Sequence, residues 1–272
     1  MISCIICSRK SDVSFDLRDN IATTIGCAYE LITIDNSQND YSMFSAYNEG
    51  VRRANGDILC FMHEDVLYHT QNWGLNVEKR FCNDNSLGLI GVLGSHYLAN
   101  CVCNVGDSGL LSSNYYTKDK EKYYYRDKYF DETGATEVVC VDGMWFCIRK
   151  SLFNNKIEFD ETFPGFHYYD MDICLQIVKN NYKVEVVNDV LVEHFSQGDI
   201  DACFIKNSFK FYEKWKEYLP LVKGYEFSEV ELRLSTELSA ITAWAREMHF
   251  YQKKLHNKWW YKFMKKIRSL LK

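Results

Sequence analysis

Short apolar runs and amphipathic stretches alternate along the first half of the chain. Residues 2–7 form an apolar run that predicts a buried strand, and a weakly helical stretch follows over 15–25. Residues 29–34 predict a second strand, which ends on Asp35-Asn36-Ser37. Met43, Tyr47, Val51 and Ala54 recur at helical spacing and predict an amphipathic helix over 42–54. A third strand over 58–62, a helix over 72–81 and a strand over 87–93 continue the alternation. Strands that alternate with helices in this way imply a mostly parallel central sheet flanked by helices, an α/β architecture of Rossmann-like type.

From residue 98 to 136 the periodicity breaks, and Asn114-Tyr115-Tyr116 and Tyr123-Tyr124-Tyr125-Arg126 stand among many charges. A loop of this length in a compact domain is usually a lid or a substrate-binding excursion. Strand character resumes over 137–141 and 145–148. Met171, Cys174, Leu175 and Val178 then share a helical face, and strands over 183–187 and 190–192 lead to His194. Beyond Asp199 the pattern is helical and aromatic, with Phe204, Phe211, Trp215, Leu238, Ile241 and Trp244 on amphipathic faces. The expected organisation is therefore a domain over 1–199 and a helical C-terminal extension over 200–272.

Composition narrows the class. A net charge of -5 argues against nucleic-acid binding. The eleven cysteines are odd in number, and Cys4, Cys60, Cys140, Cys147 and Cys174 lie in apolar runs, where a free cysteine behaves as a small hydrophobe. A reducing cytoplasm is the expected compartment. Cys4-x-x-Cys7 and Cys101-x-Cys103 lack a convincing second pair for zinc. The first apolar run is too short for a signal peptide, and no run approaches the ~18 residues of a membrane span. The end of the chain differs from the rest. No acid follows Glu247, while residues 256–272 interleave Trp260, Phe263, Met264, Ile267, Leu270 and Leu271 with lysines and an arginine. A basic amphipathic helix of this kind suits an anionic membrane surface, or docking on its own domain or on a second subunit.

Candidate chemistry gathers at strand ends. The run 58–62 delivers His63-Glu64-Asp65, and in open α/β sheets ligands bind at the carboxyl ends of strands. Acidic groups held together there suit a divalent metal that escorts a phosphate. Asp35 occupies the same kind of position, where a carboxylate can accept hydrogen bonds from a ribose or base, although Asp35-Asn36-Ser37 also reads as a self-bonded turn. Asn48 and Gly50 are unfavourable inside a helix, with Gly costing roughly 1 kcal/mol against Ala. Asp170 and Asp172 open a helix, which capping alone would explain, and His194 lies in an apolar setting.

The ordered set resembles a GT-A glycosyltransferase of the family 2 type, over residues 2 to about 196. The matching pieces are the strand ending in Asp35, then Ala46, Asn48 and Gly50, and then Ala54, Gly56 and Asp57 with the run to Asp65. Asp142, Gly143 and Arg149 follow, and then Phe159-Asp160-Glu161, Tyr169-Asp170-Met171-Asp172, Asn181-Tyr182-Lys183-Val184 and His194. Two positions depart from the family pattern. His63 replaces the first acid of Asp-x-Asp, and Tyr169 replaces the Glu before Asp170.

The resemblance implies an inverting transfer from a nucleotide-diphosphate sugar to a glycan or lipid-linked acceptor, in bacterial cell-surface polysaccharide synthesis. It implies Asp170 as the base, with Asp172 second, and a donor site at Asp35, Asn48, His63, Glu64 and Asp65. It implies a Mn²⁺ or Mg²⁺ ion on Asp65 and His194, and an acceptor near Gly143 and Trp145. A neutral His63 suits these ions less well than a carboxylate, so weak metal dependence stays open. The expected location is cytoplasmic, on the inner face of the cell membrane through residues 256–272. The rival readings are a nucleotidyltransferase and a catalytically silent binder of sugar nucleotides or glycans.

Overall fold

Seven strands form the central sheet, in the order Ala135–Glu137, Lys183–Val187, Leu87–Gly91, Trp145–Arg149, Ile58–Met62, Ile2–Ser8 and Tyr29–Asp35. The computed structural model of the chain describes residues 1–117, 122–123, 129–154, 157–196, 200–257 and 259–270. Five strands run in one direction, while Trp145–Arg149 and Ala135–Glu137 are antiparallel to their neighbours. The mostly parallel sheet read from the alternation is present.

The central strands are apolar throughout because both faces are covered. One face packs Tyr47, Phe61, Phe146, Phe159 and Tyr169 beneath helices Met43–Arg53 and Tyr169–Lys179. The other packs Leu17, Ile21, Trp73, Val77 and Trp145 beneath helices Phe15–Thr24 and Trp73–Asn83. In helix Met43–Arg53 a side chain at Gly50 would collide with Ile5, so the glycine answers a close approach of helix to sheet.

Residues 98–136 are not a free excursion. Leu111–Ser113 pairs with Leu93–Ser95, and Tyr115–Thr117 pairs in parallel with Val192–His194. Between them Asn114 is buried and donates to the carbonyls of Asn188 and Val190. Aromatic residues here sit at strand spacing too short to stand out by periodicity. Tyr124, Tyr125 and Arg126 lie outside the described residues.

Val192–His194 also pairs antiparallel with Val66–Tyr68, with His194 opposite Val66. This small second sheet carries His194 to the end of the central strand Ile58–Met62. The helix Ala202–Trp215 contributes Phe204, Phe211 and Trp215 to the first core. Two further helices, Glu229–Asn257 and Trp259–Leu270, complete the described chain. Of the expected tail, Lys258, Leu271 and Lys272 lie outside the described residues. No helix among the described residues is long and apolar enough to cross a membrane.

Candidate active site

The carboxyl edge of the sheet holds the cluster. Ile58–Met62 ends at His63, whose backbone N–H donates to Met144 at 3.0 Å and so ties the turn to the neighbouring strand's approach. Asp65 follows, and its carbonyl accepts from the Phe195 N–H, next to His194. His63 Nδ1 lies 3.2 Å from His194 Nε2, which in turn lies 3.5 Å from Asp65 Oδ1. The three side chains bring two imidazole nitrogens and a carboxylate oxygen within 4.8 Å of one another.

Burial works against ionisation of Asp65, but hydrogen bonds from His194 and Ser196 and the field of the two histidines outweigh it, so the carboxyl stays below its usual range. Burial and the neighbouring His194 push His63 down to about 4. His63 therefore offers a neutral nitrogen and Asp65 an anionic oxygen at neutral pH, and imidazole ligands suit a first-row transition ion such as Mn²⁺ better than Mg²⁺.

Tyr169 extends the cluster inward. The preceding Tyr168 takes a left-handed backbone at φ 75°, rare for a bulky residue, and starts helix Tyr169–Lys179 at an angle that turns Tyr169 and Asp170 towards the sheet edge. Tyr169 Oη is 2.8 Å from His63 Nε2 and donates to the Gly143 carbonyl at 3.1 Å. Any side chain at Gly143 would overlap that hydroxyl. Gly143 in turn donates its N–H to Asp170 Oδ2 at 2.8 Å. A continuous path thus runs from His194 through His63, Tyr169 and Gly143 to Asp170.

Asp170 is half-buried, and burial together with the charge of Asp142 pushes its carboxyl up to about 7, against the two backbone N–H groups that it accepts. A carboxylate poised there can take a proton at neutral pH.

The remaining expected residues fall in four places. Asp35 and Glu64 stand at the same sheet edge. Asp35 is opposite Ser8 in register and accepts from the Ser37 N–H at 2.9 Å, so the self-bonded turn is present, with the side chain exposed. Glu64 accepts from Ser8 Oγ at 2.6 Å and from Arg9, which fastens the turn after the first strand to the His63 segment. Asn48 stands elsewhere: its amide clasps Phe159 in both directions, at 2.8 and 3.1 Å, and donates to Glu161.

Asp172 is buried and accepts from Lys214, Trp215 and Gln176, which makes it the anchor of helix Ala202–Trp215 rather than a member of the path. It points away because it is two residues from Asp170 on a helix, about 200° around the axis. Trp145 is corrected outright. It is wholly buried, with its indole N–H on Tyr68 Oη at 2.9 Å, and cannot face an acceptor. The alternation of a strand sends Trp145 and Phe146 to opposite faces, and both faces of this sheet are covered.

Sequence reasoning counted Tyr169 and Asp142 among the motif positions but gave neither a role in the site. Tyr169 was visible only as a departure from a pattern. Asp142 was visible only as a matching piece beside Gly143, and its charge on Asp170 appears only in the fold.

A model of a glycosyltransferase-like family matches residues 1–219, most of the chain. The chain belongs to that family. Within it the architecture is GT-A. A crystal structure of GalNAc-T7 with UDP, GalNAc and Mn²⁺ superposes with a TM-score of 0.56 at 13% identity, over 80% of this glycosyltransferase-like chain. The match covers 49% of the GalNAc-T7 chain, so the present chain spans about half of its length. A197 from STIV gives a TM-score of 0.43 at 16% identity, over 72% of this chain and 86% of its own. No curated protein matches the sequence.

Proposed function

We propose that the protein transfers a sugar, with inversion, from a nucleotide-diphosphate sugar to a glycan or lipid-linked acceptor hydroxyl. The observation that carries this reading is the path from the His63–Asp65–His194 cluster to Asp170 at the carboxyl edge of a GT-A sheet. His63, Asp65 and His194 would hold a divalent ion, which would supply neutralisation of the charge on the leaving diphosphate. Asp35 reads the ribose or base from its exposed strand end. Asp170 accepts the acceptor's hydroxyl proton, and Gly143 N–H keeps the accepting carboxyl oriented. Phe166, exposed and with its ring 5.5 Å from that of His63, offers a face for a sugar ring at the cleft mouth.

The C-terminal helix, with Phe263 and Met264 exposed among lysines, brings this chemistry to an anionic membrane surface in polysaccharide synthesis. A silent sugar-nucleotide binder is the second reading, favoured by the imidazole and phenol that stand where the family pattern has acids.

Binding and turnover of UDP- and GDP-sugars, with and without Mn²⁺, test the proposal. The wild type binds one of them and turns it over. Asp170→Asn retains donor affinity and loses about 10²–10⁴-fold in turnover. Absence of any sugar-nucleotide binding would sink the reading, and binding without turnover in the wild type would favour the silent one.

A further inference from the structure

Helix Glu229–Asn257 lies beyond the residues that the family match covers and shows an unusual outer face. Leu234, Leu238, Ile241, Trp244, Met248 and Leu255 are 41–63% exposed and recur at helical spacing, with Val230 and Tyr251 extending the stripe. The helix cannot roll to hide them. Ser235 and Ser239 are buried on its inner face, Thr236 Oγ1 lies 2.8 Å from Tyr97 Oη, and Arg246 is paired with the buried Asp107. Eight such side chains, each about half exposed, present roughly 700 Å² of apolar surface, close to the ~800 Å² per partner of a stable interface and above what monomers usually expose.

Charge along the same helix selects the occupant. Glu229, Glu231 and Glu237 outnumber Arg233 towards its start, with Glu226 just before it, and Lys253 and Lys254 stand towards its end. An anionic lipid surface would attract one end and repel the other. A second copy laid antiparallel satisfies both ends, as a two-fold interface requires.

We propose that this helix pairs with its equivalent in a second copy of the chain as an antiparallel, two-fold dimer. The axis falls between positions 242 and 243. Val230 then meets the partner's Leu255, Leu234 meets the partner's Tyr251, and Ile241 meets the partner's Trp244. The helix is roughly 43 Å long, enough for the whole stripe to engage. This pairing is independent of the transferase chemistry, and its failure would leave that reading untouched.

Sedimentation velocity on the full chain tests it, at concentrations up to about 100 µM. The wild type sediments as a species of twice 32.0 kDa. Leu238→Glu with Ile241→Glu changes exposed positions, so the circular dichroism melt stays as in the wild type while the dimer dissociates at least about tenfold more readily. Leu234→Asp alone weakens the dimer, and adding Tyr251→Lys, which the antiparallel register sets against it, restores it. A wild type that stays monomeric at every concentration overturns the dimer, as does a dimer indifferent to the Leu238/Ile241 pair. Failure of the Leu234/Tyr251 pair to restore assembly overturns the antiparallel arrangement. A monomer whose binding to phosphatidylglycerol vesicles is lost with Leu238→Glu and Ile241→Glu overturns the proposal in favour of a membrane-facing stripe.

Discussion

Tyr169 has one hydroxyl hydrogen, and the Gly143 carbonyl takes it. With that hydrogen on Gly143, the phenol oxygen 2.8 Å from His63 Nε2 accepts, a pairing that favours the Nε2–H tautomer and turns Nδ1 towards His194 and Asp65. Burial raises the Tyr169 phenol well above its usual range, which keeps that hydrogen in place. The two departures from the family pattern therefore touch one another, and the tyrosine favours one tautomer of the histidine. In Tyr169→Phe the tautomer is released, and Mn²⁺ affinity should fall by about 10–100-fold, as for other groups that orient a metal-binding histidine. Titration calorimetry with Mn²⁺ reads this directly, and equal affinities in the two proteins would remove Tyr169 from the site. Sequence spacing located His63, Asp65 and His194 as candidates. It could not register that Tyr169 is their support, because a hydrogen bond between residues 63 and 169 exists only after folding.

At the scale of elements, Asp172 joins helix Tyr169–Lys179 to helix Ala202–Trp215. Its buried carboxylate accepts from Lys214 and from Trp215 at 2.8 Å, and Lys214 also reaches Asp160 at 2.7 Å. Lys214→Met leaves the carboxylate short of its cation, and we expect a loss of about 3 kcal/mol in urea unfolding. A change below about 0.5 kcal/mol would show that the Trp215 and Gln176 bonds suffice. The elements themselves were largely legible. Strands 58–62 and 183–187 appear with the expected bounds, and helix Met43–Arg53 lies within the expected 42–54. Those segments carry strong apolar periodicity. The strands of residues 98–136 are only two or three residues long, too short for a period to show, and their partners lie far away in sequence.

For the whole molecule, the raised carboxyl of Asp170 sets stability against activity. Its folded-state value, about 7, lies above the unfolded 3.8. Between these values the folded chain holds a proton that the unfolded chain has released, so this group's stabilising contribution is lost as pH rises through about 7. Activity runs the other way, because the base must be ionised. We expect the acid limb of the turnover profile to rise through about pH 7, while Asp170→Asn unfolds with less loss of stability between pH 5 and 8 than the wild type. A turnover profile flat across that range would remove Asp170 as the base. The C-terminal helix makes a separate statement: a chain ending at residue 257 should keep donor binding and lose affinity for phosphatidylglycerol vesicles. Retention of that affinity would move the membrane contact elsewhere.

By itself the sequence determined the α/β alternation, the strand ends that bear Asp35 and His63-Glu64-Asp65, and the order of motifs that marks the family. These are local properties, carried by apolar periodicity and by residue types at a strand's end. Tertiary structure decided which side chains meet. The antiparallel pairing of Val192–His194 with Val66–Tyr68 brought His194 to Asp65, and the left-handed turn at Tyr168 set Tyr169 on His63 and Asp170 on Gly143. It also withdrew Trp145 into the core and gave Asp172 to Lys214 and Trp215. A side chain's neighbours depend on strand register and helix phase together, and neither can be read from one segment alone.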